Sequence, residues 1–137
     1  MLIERFEDIK AWQLARTLVR EIYAISAKGP FAKDFGLKDQ IRRAAGSVMH
    51  NIAEGFDSGS RAEFARFLRY SQRSATEVMS QLYIALDQGY LTQEQFNSLL
   101  KLASETRATC GGLIKHLQAK KVATHPPATG RAPSIKP

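Results

Sequence analysis

The sequence predicts an all-α protein: an antiparallel, up-down-up-down four-helix bundle. Three observations lead there. Apolar residues recur at three- and four-residue spacing along four long stretches. Helix start and stop signals bound those stretches. The links between them are short, which makes consecutive helices antiparallel neighbours.

The first stretch runs from about Asp8 to Ala27. Ala11, Leu14, Ala15, Leu18, Ile22 and Ile25 keep helical spacing, and Trp12, Val19 and Tyr23 widen the apolar face. Glu7 and Asp8 are placed to favour the positive end of the helix dipole. Lys28-Gly29-Pro30 is a stop signal. The connection "FAKDFG" leads to a second helix, from about Leu37 to Glu54, closed by Gly55. Ser60 with Glu63 matches a capping box, so a third helix starts there and reaches about Gln88. Its core line is Phe64, Phe67, Leu68, Ser71, Ala75, Val78, Leu82 and Ala85. "GYL" turns the chain, and Thr92 with Gln95 is a second capping box. The fourth helix carries Phe96, Leu99, Leu100, Ala103, Cys110, Leu113, Ile114 and Leu117 at heptad-like spacing.

These stretches place a bundle domain at residues 1–119. Four of the five prolines fall in "HPPATGRAPSIKP", so residues 120–137 read as a basic, proline-rich, disordered tail. The 137 residues suit one domain, and an apolar content of 44% is enough for a core. The formal net charge is +7 and the isoelectric point about 9.8, which favours anionic partners. Lys120, Lys121, Arg131 and Lys136 supply part of that charge, leaving +3 on the rest of the chain.

A single cysteine excludes an intrachain disulfide and suits a reducing compartment. "MLIERFEDIKAW" has charges where a secretory signal would need an apolar run. No stretch approaches the roughly 18 apolar residues of a membrane span. The expectation is a cytoplasmic protein with no membrane partner.

These motifs resemble those of a known family, the small four-helix-bundle proteins encoded by intervening sequences of bacterial 23S ribosomal RNA genes. The likeness spans about residues 6–118. It is carried by "FEDIKAWQLA", "IYAIS", "FGLKDQIRRAAGSV", "NIAEG", "FLRYSQRSATEV", "QLYIALDQGYL" and "GLIKHL", in that order. The resemblance implies an antiparallel four-helix bundle assembled as a ring of five. The biochemical role of the family is not established. A related bundle, the accessory protein of diversity-generating retroelements, is a basic pentamer that binds nucleic acid and a reverse transcriptase. Two positions depart from the family pattern. Met49 and His50 stand where a proline and a small polar residue are common, and Glu77-Val78-Met79 keeps only the first acid of Glu-Leu-Glu.

Two polar constellations remain after the core is assigned. On the second helix, Gln40, Arg43, Ser47, Asn51 and Glu54 form a stripe beside the apolar one. It is a solvated face, a ligand site, or a hydrogen-bonded seam within the bundle or between subunits. Ser47 and Asn51 are mediocre helix formers, which favours the seam. Glu77 and Gln81 are its expected partners across the bundle, and Ala44-Ala45-Gly46 suits close approach of another helix. On the third helix, Arg66, Arg69 and Arg73 lie opposite the core line, and Arg61 extends the set. With Arg42, Arg43, Lys120 and Lys121 they are candidate phosphate contacts. The competing reading is an ordinary solvated face. Tyr70 adjoins the arginines.

Enzymatic signals are poor. A di-iron bundle site needs paired Glu-x-x-His motifs, and Ser47, Leu113 and Val122 stand three residues before the histidines. No cofactor or metal site is expected. Cys110 falls in a core register, so it reads as a buried structural thiol. Gly111-Gly112 sits mid-helix, where close packing of a neighbouring helix would compensate its cost. Trp12 reads as a core or interface anchor. Surplus apolar surface at Trp12, Val19, Tyr23, Phe31 and Phe35 points to burial between subunits.

The sequence therefore predicts a non-enzymatic homo-oligomer that binds nucleic acid, RNA before DNA, without strong sequence specificity. The alternative is a scaffold that recruits an enzyme or ribonucleoprotein partner through the same basic face.

Overall fold

The computed structural model describes residues 3–123, with side chains through residue 119. Its helices are α1 (Lys10–Ser26), α2 (Gly29–Lys33), α3 (Phe35–Phe56), α4 (Arg61–Asp87) and α5 (Gln93–Ala123), preceded by a 3₁₀ turn at Phe6–Asp8. Four of these are long and one is a single short turn. Together they form a helical bundle.

Ile9 sets where α1 begins. It is extended (φ −77°, ψ 123°) and buried, so the chain breaks to send its side chain into the core. Glu7 and Asp8 consequently precede α1 instead of occupying its first turn, and both approach Arg5, at 3.8 and 3.7 Å. The stop signal after α1 is also a start signal. Gly29 takes φ +57°, a conformation costly for other residues, and Pro30 sits in the first turn of α2, where its missing N–H is not needed. This extra helix buries Phe31 and stacks it on Tyr90, centroids 5.2 Å apart.

Asp34 then starts α3 two residues earlier than the spacing predicts. Its carboxylate accepts the Leu37 N–H at 3.1 Å and the Tyr90 hydroxyl at 2.8 Å. Gly55 does not end α3, which continues to Phe56. A Cβ at Gly55 would lie 2.7 Å from Phe67 Cβ and 3.0 Å from Phe64 Cδ1, so this glycine lets α4 pack closely.

The α4 boundaries agree with the sequence. The Ser60 hydroxyl accepts the Glu63 N–H at 3.1 Å. At the far end, Tyr90 N–H donates to Ala85 O and Gly89 N–H to Leu86 O, a Schellman closure with Gly89 at φ +76°. The box at α5 is complete: Gln95 N–H donates to Thr92 Oγ1 at 3.1 Å and Thr92 N–H to Gln95 Oε1 at 2.9 Å. The helix then runs through 120–123, past the boundary expected at 119; residues 124–137, the rest of the expected tail, lie outside the described residues.

The core forms two clusters. One gathers Trp12, Val48, Ile52, Phe64, Leu68, Cys110 and Leu117. The other gathers Leu18, Ile22, Phe31, Ile41, Val78, Leu82, Phe96 and Ala103. In α5 they part at Thr106, which is fully buried and donates to Leu102 O at 2.7 Å. Ser71, also buried, donates to Val48 O at 2.9 Å and ties α4 to α3. The elements touch through Phe56 and Phe64, through Ser47 and Ser74, and through Tyr83 and Phe96.

Candidate nucleic-acid interface

The outer face of α4 is basic because the helix period sets its arginines opposite its core line. Between residues 61 and 76 the chain has four arginines and one acid. That acid, Glu63, sits in the first turn of α4 and could close the capping box. Its carboxylate instead takes Arg66, accepting from Nε at 3.1 Å and Nη2 at 2.8 Å. Arg66 Nη1 donates to the Tyr70 hydroxyl at 2.8 Å. The Glu63 hydrogen bond, then its charge, holds the Arg66 guanidinium above its usual pKa.

The other arginines differ. Arg69 is exposed, and Arg73, also exposed, lies 5.7 Å from the Tyr70 ring centre. Neither has an acidic partner within 4.0 Å among the described residues. Arg61 is half-buried at the head of the helix. A further cation comes from α5, where Arg107 donates to Thr76 Oγ1 at 3.1 Å and its carbonyl accepts Gln72 Nε2 at 3.2 Å. Sequence reasoning missed Arg107; its polar position one residue beyond the core Thr106 is the signal that marks it.

Arg42 and Arg43 lie apart from this stripe. Both line a groove of about 650 Å³ beside α1, with Tyr23, Asp39, Gly46, Ser47, His50, Asn51 and Glu54. Arg42 stacks on Tyr23, 4.3 Å from the ring centre. Its Nε donates to Ser26 Oγ at 2.9 Å and its Nη2 to Tyr23 O at 3.3 Å. It therefore closes the carbonyl end of α1, where a cation complements the helix dipole. Arg43 is exposed and paired with Asp39 on its own helix at 2.8 Å. Lys120 and Lys121 fall on the last turns of α5, and their side chains lie outside the described residues.

The expected cross-bundle bonds of the polar stripe are not made. Asn51 Nδ2 donates to Ser47 O at 2.9 Å and to Ser47 Oγ at 3.0 Å, one turn back on α3. Gln81 Nε2 donates to Glu77 Oε2 at 3.1 Å, within α4. Side chains one turn apart on a helix reach each other with less ordering than partners on facing helices. Only Ser47 spans the gap, accepting from or donating to Ser74 Oγ at 2.9 Å. Ser47 and Asn51 are half-buried, Gln40, Glu54 and Glu77 are exposed, and Gln81 is buried with an unpartnered Oε1. Within the chain, a Cβ at Gly46 would meet only His50 of its own helix, at 3.7 Å, so no other helix among the described residues packs closely there.

Burial pushes the Cys110 thiol up to about 12, so it stays protonated and unreactive at neutral pH. Among the described residues, no three His, Cys, Asp or Glu side chains gather closely enough to hold a metal ion, and no helix is long and apolar enough to cross a membrane.

Fold and surface together define a class: an all-helical bundle whose most distinctive surface is a row of arginines with few acids. Comparison narrows it. The chain belongs to the family of 23S rRNA-intervening sequence proteins, whose model matches residues 7–112. It is similar to a crystal structure of a protein of unknown function from the S23 ribosomal protein family of Bacteroides thetaiotaomicron VPI-5482. The two share 25% sequence identity with a TM-score of 0.70, covering 77% of this chain and 98% of that one. No curated protein matches the chain.

Proposed function

We propose that this protein is a non-enzymatic, cytoplasmic, antiparallel four-helix bundle that assembles into a pentamer and binds nucleic acid, RNA foremost, without strong sequence specificity. One observation carries the binding: Arg69 and Arg73 stand exposed on α4 with no acid among the described residues to neutralise them. Unpaired guanidiniums in a row fit a polyanion, and neutralising phosphates releases counterions. Tyr70, beside the row, is held by Arg66 Nη1 at 2.8 Å, so the contacts would be to the backbone.

The antiparallel arrangement is supported by the pairings Phe56 with Phe64, Ser47 with Ser74, and Tyr83 with Phe96, which close about the two short links. Assembly is supported by what the single chain leaves outside. Phe35 is 71% exposed, Tyr83 53%, Ile84 48% and Tyr23 47%, while the buried Gln81 Oε1 has no donor. Those exposed apolar side chains also favour the second reading, a scaffold that holds a protein partner.

A gel shift with a structured RNA across a salt series separates the two. The nucleic-acid reading expects retardation at about 50 mM salt that weakens steeply as salt rises. Absence of retardation there, with a protein retained on the bundle after nuclease treatment, would establish the scaffold instead.

A further inference from the structure

Where the head of α4 meets the last turns of α5, six residues line a half-open pocket of about 110 Å³: Arg61, Ala62, Ala65, Arg69, Leu117 and Gln118. One water's share of liquid volume is about 30 Å³, so the pocket admits a compact group of several heavy atoms. Among the described residues its lining has two arginines and no carboxylate. The nearest acid of α4, Glu63, is committed to Arg66. Arg61 Nε is buried and has no hydrogen-bond acceptor among the described residues. A buried donor of this kind lacks what an anion would give it, a charge-assisted acceptor. A water would satisfy the N–H and leave both positive charges uncompensated. The positive end of the α4 dipole lies at the same place.

We propose that this pocket is a phosphate-binding subsite, formed by Arg61 and Arg69 with the Gln118 amide at its rim. The shared chemistry is a tetrahedral oxyanion, supplied by a nucleic-acid backbone or by free phosphate. The inference rests on the nucleic-acid reading only for the first of these sources. Arg69 then has two functions, as one of the row on α4 and as a wall of the pocket.

The test uses the full chain, labelled so that arginine Nε–H resonances are observed, and titrated with inorganic phosphate and separately with a structured RNA. Phosphate should shift the Arg61 Nε–H resonance. Arg69→Gln should weaken phosphate binding read at that resonance by about tenfold, the loss of one charge-assisted bond, Arg61→Gln should do the same read at the Arg69 Nε–H, and Lys101→Gln should do neither. A parallel loss in RNA affinity assigns the phosphate to nucleic acid. A phosphate response with no RNA binding at any salt keeps the pocket, assigns it to free phosphate and rejects the proposed function. No phosphate response in the parent chain, with RNA bound and its affinity unchanged by Arg61→Gln, overturns the pocket and leaves the proposed function standing. Circular dichroism checks folding; if Arg61→Gln unfolds, the exposed Arg69 carries the same comparison.

Discussion

Gly55 and Gly112 show how the same residue type answers to different physics. At Gly55 a methyl group would press on Phe67 and Phe64 at 2.7 and 3.0 Å, both held by the packed face between α3 and α4. Gly55→Ala should destabilise the fold by about 1–3 kcal/mol, read as a lower urea midpoint. Gly112 is exposed and a Cβ there meets nothing within 4 Å, so the packing expected for it is absent and nothing in the structure explains this glycine. Gly112→Ala should stabilise by about 0.5–1 kcal/mol. Gly111 keeps the expected neighbour, with Gln72 Nε2 at 3.1 Å from a Cβ. Cys110 gives a pH-dependent prediction. Its thiol is raised from 9.0 to about 12 by burial, so the unfolded chain loses this proton first. The contribution of the group is complete below about pH 9 and declines as pH climbs toward 12. The stability gap between the parent and Cys110→Ala should therefore be smaller at pH 10 than at pH 8 in urea titrations.

Helix ends hold most of the element-scale information. Thr92 and Gln95 satisfy each other's backbone donors, so Thr92→Ala should cost about 1 kcal/mol. Arg42→Gln should lower stability by about 1–3 kcal/mol, because it removes a charged donor from Ser26 and from the closing carbonyl of α1. The same change should leave nucleic-acid affinity nearly unaltered, which separates Arg42 from the α4 row. Boundaries marked by side-chain caps, at Ser60 and Thr92, were legible from the sequence. Those marked by long-range packing were not. Ile9 breaks α1 to reach the core, and Asp34 starts α3 while bonding a tyrosine 56 residues away. The polar stripe illustrates the same limit. Its spacing is visible in the sequence, but whether Asn51 turns along its own helix or across to another depends on distances no spacing encodes. The arginine row of α4 was legible, because a helical face follows from period alone.

At the scale of the molecule, four large apolar side chains, Tyr23, Phe35, Tyr83 and Ile84, stay outside the core of the single chain. Phe35 is exposed at the start of α3, with Lys38 Nζ 5.1 Å from its ring centre, and Ile84 lies half-exposed near the end of α4. Assembly as five copies predicts a sedimentation mass five times that of the 15.3 kDa chain, and Ile84→Lys should shift it toward smaller species. In a ring, each arginine row would be repeated about the axis, so individually weak phosphate contacts would act together. Basicity alone does not establish this, because several of the candidate arginines are engaged elsewhere. Arg42 closes a helix, Arg43 meets Asp39, and Arg66 meets Glu63. What distinguishes α4 is that Arg69 and Arg73 have no such acid among the described residues.

That difference is open to direct measurement through the salt dependence of RNA binding. A plot of log affinity against log salt should be steep for the parent protein. Each of Arg69→Gln and Arg73→Gln should reduce its slope by about 0.7–0.9 for every phosphate left without its arginine, while Arg43→Gln leaves it unchanged. A slope indifferent to Arg69 and Arg73, or RNA left unbound at low salt, would contradict the account.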